Sequence, residues 1–145
     1  RWLVGPAGVL LAEVLLVKHA GERRFVVLDA AMNDLVRPAM YDAWHGIVPL
    51  GAADAARPTA PADIVGPICE SGDTFARNRA LPPLACGARV AILDAGAYGA
   101  VMSSAYNARP LAAAAMVDRG SWTVIRPRQK VEALWRDERV PEWLA

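Results

Sequence analysis

Val9-Leu10-Leu11-Ala12-Glu13-Val14-Leu15-Leu16-Val17-Lys18, then His19-Ala20-Gly21-Glu22, then Arg24-Phe25-Val26-Val27-Leu28-Asp29 decide the fold class. The two flanking runs are rich in Leu and β-branched residues, and the short segment between them has the make-up of a hairpin turn. Nine apolar-biased residues from Val9 to Val17, with Glu13 among them, are too few to span a bilayer. Further along, Asn33-Asp34 can cap a short helix over Leu35 to Ala43, where Pro38 is tolerated only in the first turn. Trp44 to Leu50 reads as a third strand, 51–61 as an Ala/Pro/Asp loop, and Ala62 to Cys69 and Ala88 to Asp94 as further strands. Met102 to Asn107 is a loop or a single helical turn. Ala112 to Asp118 and Ser121 to Arg126 flank Arg119-Gly120 as a closing hairpin, and Val131, Leu134 and Trp135 predict a terminal helix over Gln129 to Arg139. Many short strands with regular turn signals and few helices predict a mainly β barrel or sandwich, taken as one domain over 1–145.

Composition narrows the function classes. Of 145 residues, 54% are apolar and 21% charged, a globular balance large enough to bury a core. Sixteen basic residues against fifteen acidic ones are scattered along the chain, which gives no basic surface for nucleic acid. Cys69 and Cys86 make neither a disulfide framework nor a metal cluster, and two free thiols fit a reducing, cytoplasmic compartment. His19 and His45 lie outside any ligand spacing and read as structural, so no metal is expected.

Chemistry concentrates on Gly66-Pro67-Ile68-Cys69-Glu70-Ser71-Gly72-Asp73. A thiol beside a carboxylate on a stiff Gly/Pro loop is a candidate proton donor, since a cysteine pKa near ~8.5 permits donation at neutral pH. The same residues allow a plain alternative, an inert cysteine beside a surface glutamate. Arg37 and Tyr41, four apart, would share one helical face and suit a carboxylate, although a surface Arg and a core Tyr would look the same. Arg1 could add a second guanidinium. Tyr98 in Gly96-Ala97-Tyr98-Gly99 could approach a phosphate or ring closely, or simply fill a core. Cys86, between Ala85 and Gly87, reads as structural.

In order, Asp29-Ala30-Ala31-Met32-Asn33-Asp34-Leu35-Val36-Arg37-Pro38 with Tyr41 and His45, the Cys69 loop, Gly96 to Gly99, and Tyr106-Asn107-Ala108-Arg109-Pro110 resemble diaminopimelate decarboxylase, from Arg1 to about Arg128. Glutamate after the cysteine looks like that branch of the alanine-racemase-like decarboxylases. Ala31 for glycine and Cys86-Gly87-Ala88 for a Gly-Asp turn are departures from the family pattern.

The resemblance implies a β domain that follows a (β/α)8 barrel carrying pyridoxal phosphate and its Schiff-base lysine. Arg1 would stand where the barrel closes, and a barrel of roughly 250 residues cannot fit here. It implies a lyase making lysine from meso-diaminopimelate, inactive without the barrel, and a homodimer with the Cys-Glu loop reaching the neighbour's cofactor. It gives Arg1, Arg37 and Tyr41 the distal carboxylate of the amino-acid substrate and Glu70 its distal ammonium. Cys69 becomes the proton donor after carbon dioxide leaves, and Tyr98 touches cofactor and substrate. A decarboxylase for another basic amino acid and a non-catalytic module of the same fold are the alternatives.

Overall fold

The computed structural model describes residues 1–144, which form two compact units divided after Ser103. In the first, β1 (Leu10–Ala20) and β2 (Arg23–Leu28) make the expected antiparallel hairpin, with Gly21 at positive φ in the turn. A register shift between Val14 and Leu16 breaks the alternation, so Val14 is buried while Leu15 and Leu16 both stay exposed. The helix α1 (Arg37–Tyr41) takes Pro38 in its first turn, as the sequence requires. Its cap differs from expectation. Val36 holds the cap position without a side-chain bond, and the Asp34 carboxylate instead accepts the Ala31 N–H at 2.9 Å, which tightens the preceding turn.

β3 is shorter than predicted, Ile47–Pro49, although the Leu93 N–H bonded to the Gly46 carbonyl extends its pairing by one bond. The segment 51–61 is not all loop. Ala52–Ala55 forms a single helical turn, α2, as alanines with Asp54 in the first turn favour. β4 (Ala60–Val65) ends where Gly66 turns the chain, four residues before the predicted end. β5 (Thr74–Leu81) was not expected from the sequence, and β6 (Arg89–Ile92) was.

The six strands form one mixed, barrel-like sheet in the order β3-β6-β1-β2-β4-β5, with β2 and β4 parallel and the other pairs antiparallel. The two edges of that sheet are tied together. Arg79 on β5 donates to the carbonyl of His45, just ahead of β3, at 2.8 Å, and its guanidinium lies 4.6 Å from the Trp44 ring centroid. Val14, Val26, Leu28, Leu35, Ile64, Leu81, Val90 and Ile92 fill the core. His45 is buried there too, its Nδ1 donating to the Leu93 carbonyl, a structural role as expected. Ala31 needs no positive φ, so its departure from glycine leaves the turn intact.

The second unit contains the closing hairpin, β7 (Ala114–Asp118) and β8 (Ser121–Arg126). Arg119 and Gly120 at the tip both have positive φ, the geometry that two-residue hairpin turns prefer. The terminal helix does not form. Val131–Leu134 is a single 3₁₀ turn with no buried residue, because the apolar spacing finds no surface within the unit to pack on. Tyr106–Ala108 is a 3₁₀ turn, one of the two forms expected there.

Candidate active site

The Cys69 loop is built around a residue to which the sequence assigned no role. Asp73, only 3% exposed, turns its carboxylate back into the loop. Its Oδ2 accepts the Ile68 N–H at 2.9 Å and its Oδ1 accepts the Met32 N–H at 2.7 Å, a contact with the segment leading into α1. Its backbone closes the same loop, since Gly66 N–H donates to the Asp73 carbonyl and Asp73 N–H to the Glu70 carbonyl. A Cβ on Gly66 would overlap the Asp73 carboxylate, so glycine is what lets that side chain seat. The sequence carries no signal for this role, because an aspartate in a loop rich in Gly, Pro and Ser reads the same whether its carboxylate is buried or exposed.

Cys69 and Glu70 sit on the outside of this frame. The Cys69 thiol is free and exposed, and so is that of Cys86, whose Sγ–H bonds the Leu15 carbonyl at 3.1 Å. Glu70 is fully exposed, and its Oε1 accepts the Gly72 N–H at 3.1 Å and the Ser71 hydroxyl at 3.2 Å. Those two donors, the Gly72 amide foremost, hold its carboxyl below the ordinary glutamate range, so the group stays ionised. A charged acceptor beside a free thiol is therefore displayed to whatever approaches the loop.

Tyr98 is placed by crowding. The Gly8 and Gly96 backbones pack so closely that a Cβ on either would collide with the other segment, and one on Gly99 would strike the Ala95 carbonyl. Ala95 N–H and Gly96 N–H donate to the carbonyls of Gly8 and Gly5, and Gly5 N–H to that of Arg1. The Tyr98 segment is thus welded to the chain's first residues, including Arg1. Tyr98 itself sits at φ 62°, a conformation costing a bulky residue about 1 kcal/mol or more. Its half-exposed ring lies 5.9 Å from the Arg37 guanidinium.

The structure therefore brings Arg37 to Tyr98, carries Arg37 and Tyr41 on one short helix, and anchors the Cys69-Glu70 loop to the segment entering that helix. Cys69 and Glu70 make no direct bond to Arg1, Arg37, Tyr41 or Tyr98. A cleft of about 310 Å³ runs between α1 with the segment after it and β5, lined by Pro38, Asp42, Trp44, Thr74, Arg77 and Arg79 among others, and it meets the Cys69 loop at Gly72. Among the described residues no group of three or more His, Cys, Asp or Glu could hold a metal, and no helix is long and apolar enough to cross a membrane. The Tyr106 to Pro110 motif lies in the second unit, where Asn107 and Ala108 both take positive φ.

A family model described as the pyridoxal-dependent decarboxylase C-terminal sheet domain matches residues 2–126. Diaminopimelate decarboxylase of Zymomonas mobilis is 54% identical over 144 residues, covering 99% of this chain and 34% of the relative. A solved diaminopimelate decarboxylase of M. jannaschii, in co-complex with L-lysine, superposes with a TM-score of 0.91 at 36% identity, over 99% of this chain and 32% of that one. That of Helicobacter pylori, also complexed with L-lysine, gives 0.85 at 41% identity over 92% and 32%. The chain spans about a third of the length of the curated relatives it matches.

Proposed function

The chain belongs to the pyridoxal-dependent decarboxylases, as their C-terminal sheet domain, and from that premise we propose that it forms part of a lyase converting meso-2,6-diaminopimelate to L-lysine. One observation carries this reading: an exposed thiol and an exposed, ionised carboxylate stand side by side on a loop that the buried Asp73 frames. The relatives named for this reaction, two of them with L-lysine bound, agree with it.

The residues present fit the cofactor. Tyr98 offers a phenol and a ring face from a backbone too crowded to shift, with a guanidinium beside it, which suits a planar aromatic anion. Pyridoxal phosphate, when bound, supplies the electron sink that lets the substrate α-carbon shed its carboxylate. Lys18 on β1 lies with its Nζ 5.5 Å from the ring centroid of Phe25 on β2, and Lys130 precedes the 3₁₀ turn of the second unit. We place the Schiff-base lysine outside these residues, in the part of the protein that the sheet domain accompanies.

The chain's own groups then divide the work. Arg37 and Tyr41, with Arg1, bind the distal carboxylate, for which a guanidinium fork and a phenol are matched donors. Glu70 accepts from the distal ammonium, and its depressed pKa keeps it charged for that purpose. Cys69 Sγ–H delivers a proton to the carbon that has lost carbon dioxide. Because the thiol and carboxylate face outward, they serve a site completed by another surface, and a homodimer in the cytoplasm is the assembly we propose.

The test uses the complete dimeric enzyme. Cys69→Ala should lower kcat about 10²- to 10⁴-fold with KM nearly unchanged, the usual size of a general-acid contribution. Glu70→Gln should lower kcat/KM for diaminopimelate more than for an analogue lacking the distal amino group. Full turnover in Cys69→Ala, together with equal losses on both substrates in Glu70→Gln, refutes the assignment and favours a non-catalytic module or a decarboxylase of another basic amino acid.

A further inference from the structure

Asp73 touches two pieces of chain that the proposed reaction must hold in register, and neither thiol nor carboxylate of the loop provides that link. One carboxylate oxygen receives the Ile68 N–H, immediately before Cys69; the other receives the Met32 N–H, five residues before Arg37. The Met32 segment is itself fixed. Asp29 bonds the Glu13 N–H of β1 at 2.8 Å through its side chain, and its own N–H donates to the Glu13 carbonyl at 2.9 Å. Asp34 then closes the turn onto Ala31. A continuous set of bonds therefore runs from the sheet through Met32 and Asp73 to the residue preceding the thiol.

We propose that Asp73 is a positioning residue for decarboxylation, its buried carboxylate locking the Cys69-Glu70 loop to the segment that carries Arg37 and Tyr41. The inference rests on the functional reading above. A shorter or neutral side chain cannot do the same job. Asparagine at this position keeps one acceptor but turns an NH₂ donor toward one of the two N–H donors, so one arm of the lock opens. The Gly66 seat closes off the remaining freedom, because the carboxylate already occupies the space a Cβ would need there. Reacting groups misplaced by about 1 Å lose on the order of 10²-fold in rate, which sets the expected effect.

The experiment is a double-substitution cycle in the complete enzyme, with hydrogen exchange on the unsubstituted protein beside it. Asp73→Asn should lower kcat by roughly 10²-fold. In the Cys69→Ala background the same change should alter kcat by no more than about twofold, the scatter of independent sites, because there is no thiol left to place. Full additivity of the two losses overturns the proposal and leaves Asp73 a general structural residue. If Cys69→Ala alone leaves turnover intact, the functional reading has failed, which is a separate outcome from additivity. Hydrogen exchange decides the lock itself even where Asp73→Asn does not fold. The amides of Met32 and Ile68 should be protected to the same degree, and a Met32 amide exchanging as fast as an exposed loop amide overturns it.

Discussion

Replacing Arg79 by methionine tests whether the sheet is held closed by one side chain. The substitution keeps an apolar stem over Trp44 and removes the guanidinium, so packing is largely preserved while two interactions disappear. The first is the charged hydrogen bond to the His45 carbonyl at 2.8 Å, of a class worth about 1.5–3 kcal/mol. The second is the cation–π contact at 4.6 Å, worth about 0.5–1 kcal/mol where partly exposed. Burial already lowers the Arg79 pKa from its ordinary value, so part of the gain is offset by desolvation and a net loss of about 2–3 kcal/mol is expected. The assay is urea denaturation followed by far-UV circular dichroism, with the slope unchanged and the midpoint lowered. Arg79→Lys should fall between the two, because an ammonium retains the charge but lacks the planar fork. The variant should also associate more readily, since the edges β3 and β5 would lose their tie. A change below about 0.5 kcal/mol, the range of ordinary surface substitutions, would refute the idea that this residue seals the sheet.

Two further outcomes concern protons. Ser71→Ala should raise the Glu70 pKa toward its ordinary value without restoring it fully, because the Gly72 amide remains, and NMR titration of the Glu70 side chain reads this directly. Asp63 is a buried case: burial pushes its carboxyl up, but the Asn78 N–H and the Arg23 guanidinium together outweigh that and hold it below 3.8. A carboxyl lowered in the folded state stabilises above its unfolded pKa and stops doing so as pH falls through the lowered value. Arg23→Ala should therefore leave a protein whose stability falls off at higher pH during acid titration, and coincident acid profiles of the two proteins would contradict this.

The hairpin of β1 and β2, the β6 run and the Arg119-Gly120 turn were legible because each follows from local chemistry, β-branched residues in one case and positive φ in the other. β5 was not. Its middle reads Arg77-Asn78-Arg79, Asn78 lies at positive φ, and the pairing with β4 slips there, so no alternation survives in the sequence. Only tertiary partners make this segment a strand: the Asp63 carboxylate takes the Asn78 N–H and the His45 carbonyl takes Arg79. The converse holds at 129–139, where Val131, Leu134 and Trp135 keep helical spacing but none of the residues of the 3₁₀ turn is buried within the unit. At the site, Cys69, Glu70, Arg37, Tyr41 and Tyr98 could be picked out as residue types in company. That Asp73 and Gly66 hold the loop could not, since a buried carboxylate in a polar loop looks like any exposed one until its donors are known.

The strand order has a consequence for how the chain reaches this structure. Leu10 on β1 pairs with Ile92 on β6, and Phe25 on β2 runs parallel to Asp63 on β4. Of the strands of this sheet, those of the β1–β2 hairpin are made before the others, yet each of its outer edges waits for a later strand, β2 for β4 and β1 for β6. Closing such long loops costs entropy before any distant contact returns it, which slows the step. Until residue 65 has left the ribosome the hairpin keeps two open edges, and its β1 edge stays open until residue 92, beside an apolar face bearing Val14, Val26 and Leu28. That interval is when a chaperone has the most surface to hold and when off-pathway strand pairing competes best.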